Sequence, residues 1–476
     1  MPSTTNYSAI SQTDVESYDA VTASVSIGAR RRRRDSKAGH SGQATWISSV
    51  VNLLNTILGA GVLAMPHAMS QFGIVLGVLI ILFSGAASGF GLYLQARCSK
   101  YVARGTASFF SLSQLTYPNA AIVFDAAIAI KCFGVAVSYL IIIGDLMPQV
   151  VRGFDSSLER FDFMLDRHFW ITVFMLVVIP LSFLRRLDSL KYTSFIALVS
   201  IGYLILIVVG HYLIGDTLAD RGEIHLIEWA GPIQALSTFP VVVFAYTCHQ
   251  NMFAIVNEIE DNSHKSTLSV VLGSICSAAG VYVLVAITGY LSFGDHLGGN
   301  IIAQYASSLA TTIGCAAIVV LVVFSYPLQI HPCRGSIDNI LKWRPRRVHS
   351  PAIPGRTAEM SDIKFAVIST ILIVATYIVA MSVSNLSTVL AYVGSTGSTA
   401  ISFILPGIFY WKISNPDSDN RYLLKIHDDE DDIEANLQDE TLSQKLLRQA
   451  ALGLACYGVF VMITCLSLNI FYNAKH

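Results

Sequence analysis

The chain has 476 residues, of which 53% are hydrophobic and only 13% charged, with a mean hydropathy of +0.56. Soluble globular domains carry about a quarter charged residues, so this composition excludes an ordinary soluble protein and points to a chain that crosses a membrane several times. The formal net charge of −1 is silent about partners, because in a membrane protein the side on which each charge lies matters more than the total.

Residues 1–44 are rich in Ser, Thr and Arg and contain no apolar signal region. They read as a disordered cytosolic tail, and the first span is expected to target the chain. The run "ARRRRRDSK" at 29–37 fits a positive-inside determinant that also meets anionic lipid, with a nuclear signal as the alternative. From 45 to 472 the sequence reads as one transmembrane domain. A spanning helix needs roughly 20 mostly apolar residues. Eleven such stretches follow, at 46 to 67, 72 to 97, 122 to 150, 169 to 184, 193 to 214, 233 to 257, 268 to 293, 303 to 330, 364 to 384, 387 to 411 and 447 to 471. The tenth is rich in Ser, Thr and Gly, which suits close helix packing in lipid. Long polar connections at 331–363 and 412–446 read as cytosolic loops, the second carrying the solvated acidic run "HDDEDDIEANLQDE"; residues 473–476 form a short terminus.

Alternating sides puts 25 of the Lys and Arg residues in segments on the N-terminal side and 5 on the other, with Lys131 alone inside a span. The positive-inside rule then places the N-terminus in the cytosol, and an odd number of spans leaves the C-terminus across the membrane. The eight Cys residues lie in spans or at their cytosolic ends, so no disulfide framework is implied. Metal-ligand spacings, a P-loop and a G-x-S-x-G elbow are missing from the sequence. An enzyme, a nucleic-acid partner and an obligate protein partner are therefore not expected, and the lipid bilayer is.

The first span contains "NTILGAGVLAMP", Asn55 to Pro66. Gly59 and Gly61 either permit tight helix packing or mark a break, and irregular backbone in a membrane survives only where protein or a water-filled cavity surrounds it. Position favours a break. If five helices form one repeat, the partner of the first span is the sixth, which carries "FPVVVFAYTCHQNMFAIVNE", a proline followed by a polar cluster. Paired irregular segments in corresponding positions mark transporter binding sites.

Six blocks, "NLLNTILGAGVLAMPHAM", "FDAAIAIKCFGVAVSYLIIIGDLMPQ", "PLSFLRRLDSLKY", "FAYTCHQNMFAIVNE", "GYLSFGDHLGGNI" and "GSTGSTAISFILPG", resemble the amino acid/auxin permease family. More narrowly, they resemble its fungal vacuolar amino-acid exporters, in the branch associated with acidic amino acids. The resemblance runs from about 46 to 471. It implies an all-α fold of eleven helices, LeuT-like, with two inverted five-helix repeats plus one, and helices 1 and 6 broken. It further implies export of amino acids, Asp or Glu, from the vacuole lumen to the cytosol, a vacuolar-membrane location and a luminal C-terminus. Carried over residue by residue, the substrate carboxylate would meet Gly59, Ala60 and Gly61. The amino group and side chain would lie near Phe244, Tyr246, Thr247 and His249. Asn55 and Ser325 match the cation ligands of sodium-coupled relatives, although a buried Asn also serves helix packing.

Two ionisable residues add to this. Lys131 lies deep in the third span and is expected to favour an anionic substrate, unless its long chain snorkels to the surface. His249 sits at the sixth-span break, where an imidazole is able to bind a proton on an acidic side and release it at neutral pH, or else to make one structural hydrogen bond. The expected coupling ion is a proton or Na+, with no other cofactor. The alternatives are a membrane amino-acid sensor (transceptor) and a plasma-membrane importer of neutral amino acids.

Overall fold

The computed structural model describes residues 42–102, 104–154, 160–184, 191–343, 360–415 and 442–473. The basic run at 29–37 and the acidic run at 427–440 lie outside them. The backbone of an apolar stretch in lipid must satisfy its own polar groups, which is why these sequences become helices. In chain order the principal helices are α1 (Trp46–Ile57), α2 (Ala60–Phe72), α3 (Ile74–Ser99), α4 (Phe109–Thr116) and α5 (Ala121–Phe154). There follow α6 (Arg167–Ser182), α7 (Lys191–Ile214), α8 (Pro232–Ala245), α9 (His249–Glu258) and α10 (His264–Phe293). The last are α11 (Leu309–Lys342), α12 (Asp362–Ser382), α13 (Leu386–Ile413) and α14 (Leu442–Asn473).

Among the described residues, nine helical runs are long and apolar enough to cross a membrane, and a tenth is the pair α1 and α2, bent by 55° at Leu58 and Gly59. The fourth expected stretch is the apolar α6, which has 16 residues. The sixth, Pro232–Glu258, loses its helix between α8 and α9 at Tyr246, Thr247 and Cys248. Within α13 the backbone winds as π-helix at Gly394–Ser398 and Ala400–Ile404, a geometry that often accompanies function.

The half-helix α2 is buried almost throughout, α8 is buried from Pro240 to Ala245, and the two meet at the centre. Helices α5 and α11, each of 34 residues, pack along one another beside them. On the side where α1 begins, Ala44 N donates to Glu258 O at 2.9 Å and Glu260 N to Ala44 O at 3.0 Å. Arg104 donates to Ile259 O and Glu260 O there, so the ends of α1, α3 and α9 are tied together. On the opposite side, the turn between α2 and α3 needs Gly73, with φ at +74°. Ile74 N and Val75 N donate to His225 O and Leu226 O, which closes that face over α2.

Candidate functional site

Where α1 and α8 both end, a polar cavity of about 310 Å³ opens. Local chemistry explains the interruption. The chain turns at Leu58 and Gly59, with Gly59 N donating to Ile57 O at 2.9 Å, and restarts as helix at Ala60. The first turn of α2 therefore directs amides and the positive end of the helix dipole into the gap. At the second break Thr247 N donates to Phe244 O and Asn251 N to Cys248 O, both at 2.9 Å. A single side chain from α10 serves both ends. Tyr282 Oη lies 2.6 Å from Ile57 O and 2.8 Å from Ala245 O, so one hydroxyl hydrogen is shared between the last carbonyls of the two half-helices.

Of the residues singled out in the sequence, Asn55, Gly59, Ala60, Gly61, Lys131, Phe244, Thr247 and Ser325 all line this cavity. Lys131 is only 3% exposed, so it does not snorkel. Its ammonium lies 3.5 Å from Gln329 Oε1. Tyr246 and His249 fall outside the lining. Tyr246 is buried on the far side of the break, edge-on to Tyr282 with ring centroids 5.1 Å apart. His249 is fully buried against α3 and α13: a Cβ on Gly91 would come within 2.8 Å of its Nε2 and 2.1 Å of Ser402 O. Thr247 links the two sides, lining the cavity while its hydroxyl lies 3.4 Å from Ser402 Oγ.

The lining also contains residues the sequence reading passed over, among them Asn52, Thr56, Tyr139, Gln250, Asn251 and Gln329. Asn251 Nδ2 donates to Thr56 Oγ1 at 2.8 Å, tying α9 to α1 across the mouth. For Gln250 and Asn251 the signal was the polarity of "HQN" after the break. The lining holds one cation and, among the described residues, no carboxylate. A larger groove of about 530 Å³ between α11 and α12 is lined mainly by aliphatic side chains, with Leu341 and Ile371 more than half exposed on its rim.

The class defined by this fold and cavity is a polytopic helical membrane protein with a polar chamber where two helices are interrupted. A crystal structure of MhsT in complex with L-phenylalanine shares the fold over 90% of this chain and 100% of that one, with a TM-score of 0.55 and 13% identity. The family model described as transmembrane amino acid transporter protein matches residues 42–426. Vacuolar amino acid transporter 5 of Schizosaccharomyces pombe is 45% identical over 436 residues, covering 90% of this chain and 96% of the relative. Vacuolar amino acid transporter 6 of Saccharomyces cerevisiae is 39% identical over 464 residues, covering 90% and 99%. The chain belongs to the transmembrane amino acid transporter family.

Proposed function

We propose that this protein is a secondary active transporter that moves acidic amino acids from the vacuolar lumen to the cytosol, driven by protons, through alternating access. The relatives' names and the family support amino-acid transport and a vacuolar membrane. The charge inventory of the cavity carries the acidic preference. Lys131 is a buried cation with no carboxylate beside it in the lining, and an unbalanced charge in a low-dielectric site is costly. Aspartate or glutamate brings a net charge of −1 and balances it, which a neutral zwitterion does not.

In this reading the substrate's α-carboxylate docks on the amides of Ala60 and Gly61 at the start of α2. Eleven helices cross the membrane as two inverted sets of five plus one, with the first and sixth broken, the N-terminus cytosolic and the C-terminus luminal. The bundle containing both breaks rocks against α5 and α11. His249 carries the proton behind the break and communicates with the substrate through Thr247 and Ser402. A gradient of about two pH units corresponds to roughly 2.7 kcal/mol per proton, or near a hundredfold in substrate ratio. Asn55 and Ser325 supply oxygen ligands on the cavity wall that would serve sodium instead.

Purified protein in liposomes tests this by measuring glutamate, glutamine and proline flux under imposed proton or sodium gradients. Glutamate should dominate under a proton gradient, and Lys131→Gln should shift the glutamate-to-glutamine ratio about tenfold or more toward glutamine. An unchanged ratio sinks the acidic reading. Flux driven by sodium alone sinks proton coupling, and binding without net movement makes the protein a sensor.

A further inference from the structure

We infer that Gln250 is the residue that, together with Lys131, selects for a carboxylate on the substrate's side chain. The inference rests on the acidic-substrate reading above and assigns its selectivity to a second residue. Gln250 lines the cavity, and both polar atoms of its side chain, Nε2 and Oε1, are shielded from solvent without a hydrogen-bond partner. A primary amide has two hydrogens to donate and one oxygen to accept with. Leaving all of that capacity unused in a shielded position is costly, and such a group is commonly satisfied by something that enters the site.

Three observations identify what enters. Gln250 is the second residue of α9, where the positive end of the helix dipole favours an anion. Lys131 lines the same cavity as Gln250. The neighbouring Asn251 is already engaged with Thr56 across the mouth, and His249 does not line the cavity, which leaves Gln250 as the first-turn side chain in the lining still free to donate. The substrate carboxylate that meets this end is not the one that meets α2. Two half-helix starts, α2 at Ala60 and α9 at His249, face one chamber, and a dicarboxylic amino acid offers one anionic group to each. In that pose Gln250 Nε2 and the Lys131 ammonium both donate to the side-chain carboxylate.

The test compares glutamate with alanine, which lacks the second carboxylate, in liposomes holding the full-length protein. Gln250→Leu should raise the glutamate KM about tenfold or more, the loss of one charge-assisted hydrogen bond, while the alanine KM stays within about twofold. Gln250→Glu keeps the size of the side chain and answers the question if the Leu variant fails to fold; it should cut glutamate flux still further and spare alanine. Gln250→Asn should recover part of the glutamate affinity. Equal losses for both amino acids, or no change for either, overturn the assignment and leave the acidic reading standing. Wild-type protein that moves alanine and not glutamate overturns the acidic reading itself, and this assignment with it.

Discussion

Gly59 and Gly61 are two residues apart, yet a Cβ built on Gly59 meets nothing within 4 Å whereas one on Gly61 lies 2.6 Å from Ala245 Cβ. Gly61 allows α2 to touch α8, and Gly59 leaves room in the cavity. Gly61→Ala should therefore drive the two half-helices apart at a cost of about 1–3 kcal/mol and remove most transport. Gly59→Ala should fold normally and raise the substrate KM, because its methyl group enters the chamber. Thermal unfolding in detergent alongside flux distinguishes the two, and a Gly61→Ala protein as stable and active as wild type would refute the packing role. The glycines were legible in the sequence because their chemistry is local. Their neighbours at the second break were less so. Residues 247, 250 and 251 reach the cavity, while 246 and 249 are buried away from it, because the non-helical backbone at 246–248 resets the direction in which successive side chains point. The sequence marks the whole polar cluster and does not say which phase of the turn faces in.

At the scale of elements, the two breaks are stabilised by a residue far from both. Ile57 O and Ala245 O lose their helical partners where α1 and α8 stop, and Tyr282 of α10 supplies the replacement. Tyr282→Phe keeps the ring, including its edge-on contact with Tyr246, and removes only the hydroxyl. Ala245 O would then be left to water or to nothing, and Ile57 O would keep only the Gly59 amide, at a cost of about 1–3 kcal/mol. The expected outcome is a lowered melting temperature and a reduced maximal flux, with a smaller change in KM because Tyr282 does not line the cavity. A variant indistinguishable from wild type in both measurements would show that the shared hydrogen bond is not what maintains the breaks. Nothing in the stretch around Tyr282 announces this role, since it depends on α10 crossing both half-helices.

At the scale of the whole molecule, access to the cavity is one-sided. Asn52 on α1 is exposed and Asn55 and Thr56 are partly so, whereas beyond the break Val62, Leu63, Met65 and Met69 are at most 2% exposed. The structure therefore holds the chamber open toward the side on which α1 begins and closed at the other. With Cys276 and Cys456 replaced, a membrane-impermeant maleimide should label Asn52→Cys from the side bearing the start of α1. It should leave Met69→Cys unmodified from either side. Labelling of Met69→Cys alone would mean that the chamber opens the other way. What the sequence by itself determined is the set of apolar stretches, the polar interruption of two of them and the distribution of basic residues, because hydropathy, helix-breaking glycines and loop charge act over a few residues. Only the tertiary structure decided that Lys131 stays buried beside Gln329, that Gln250 faces the chamber and Tyr246 does not, and that Tyr282 joins the two breaks. Those facts belong to residues far apart in the chain, and the cost or gain of burying a polar group is set by whichever neighbours the packing brings to it.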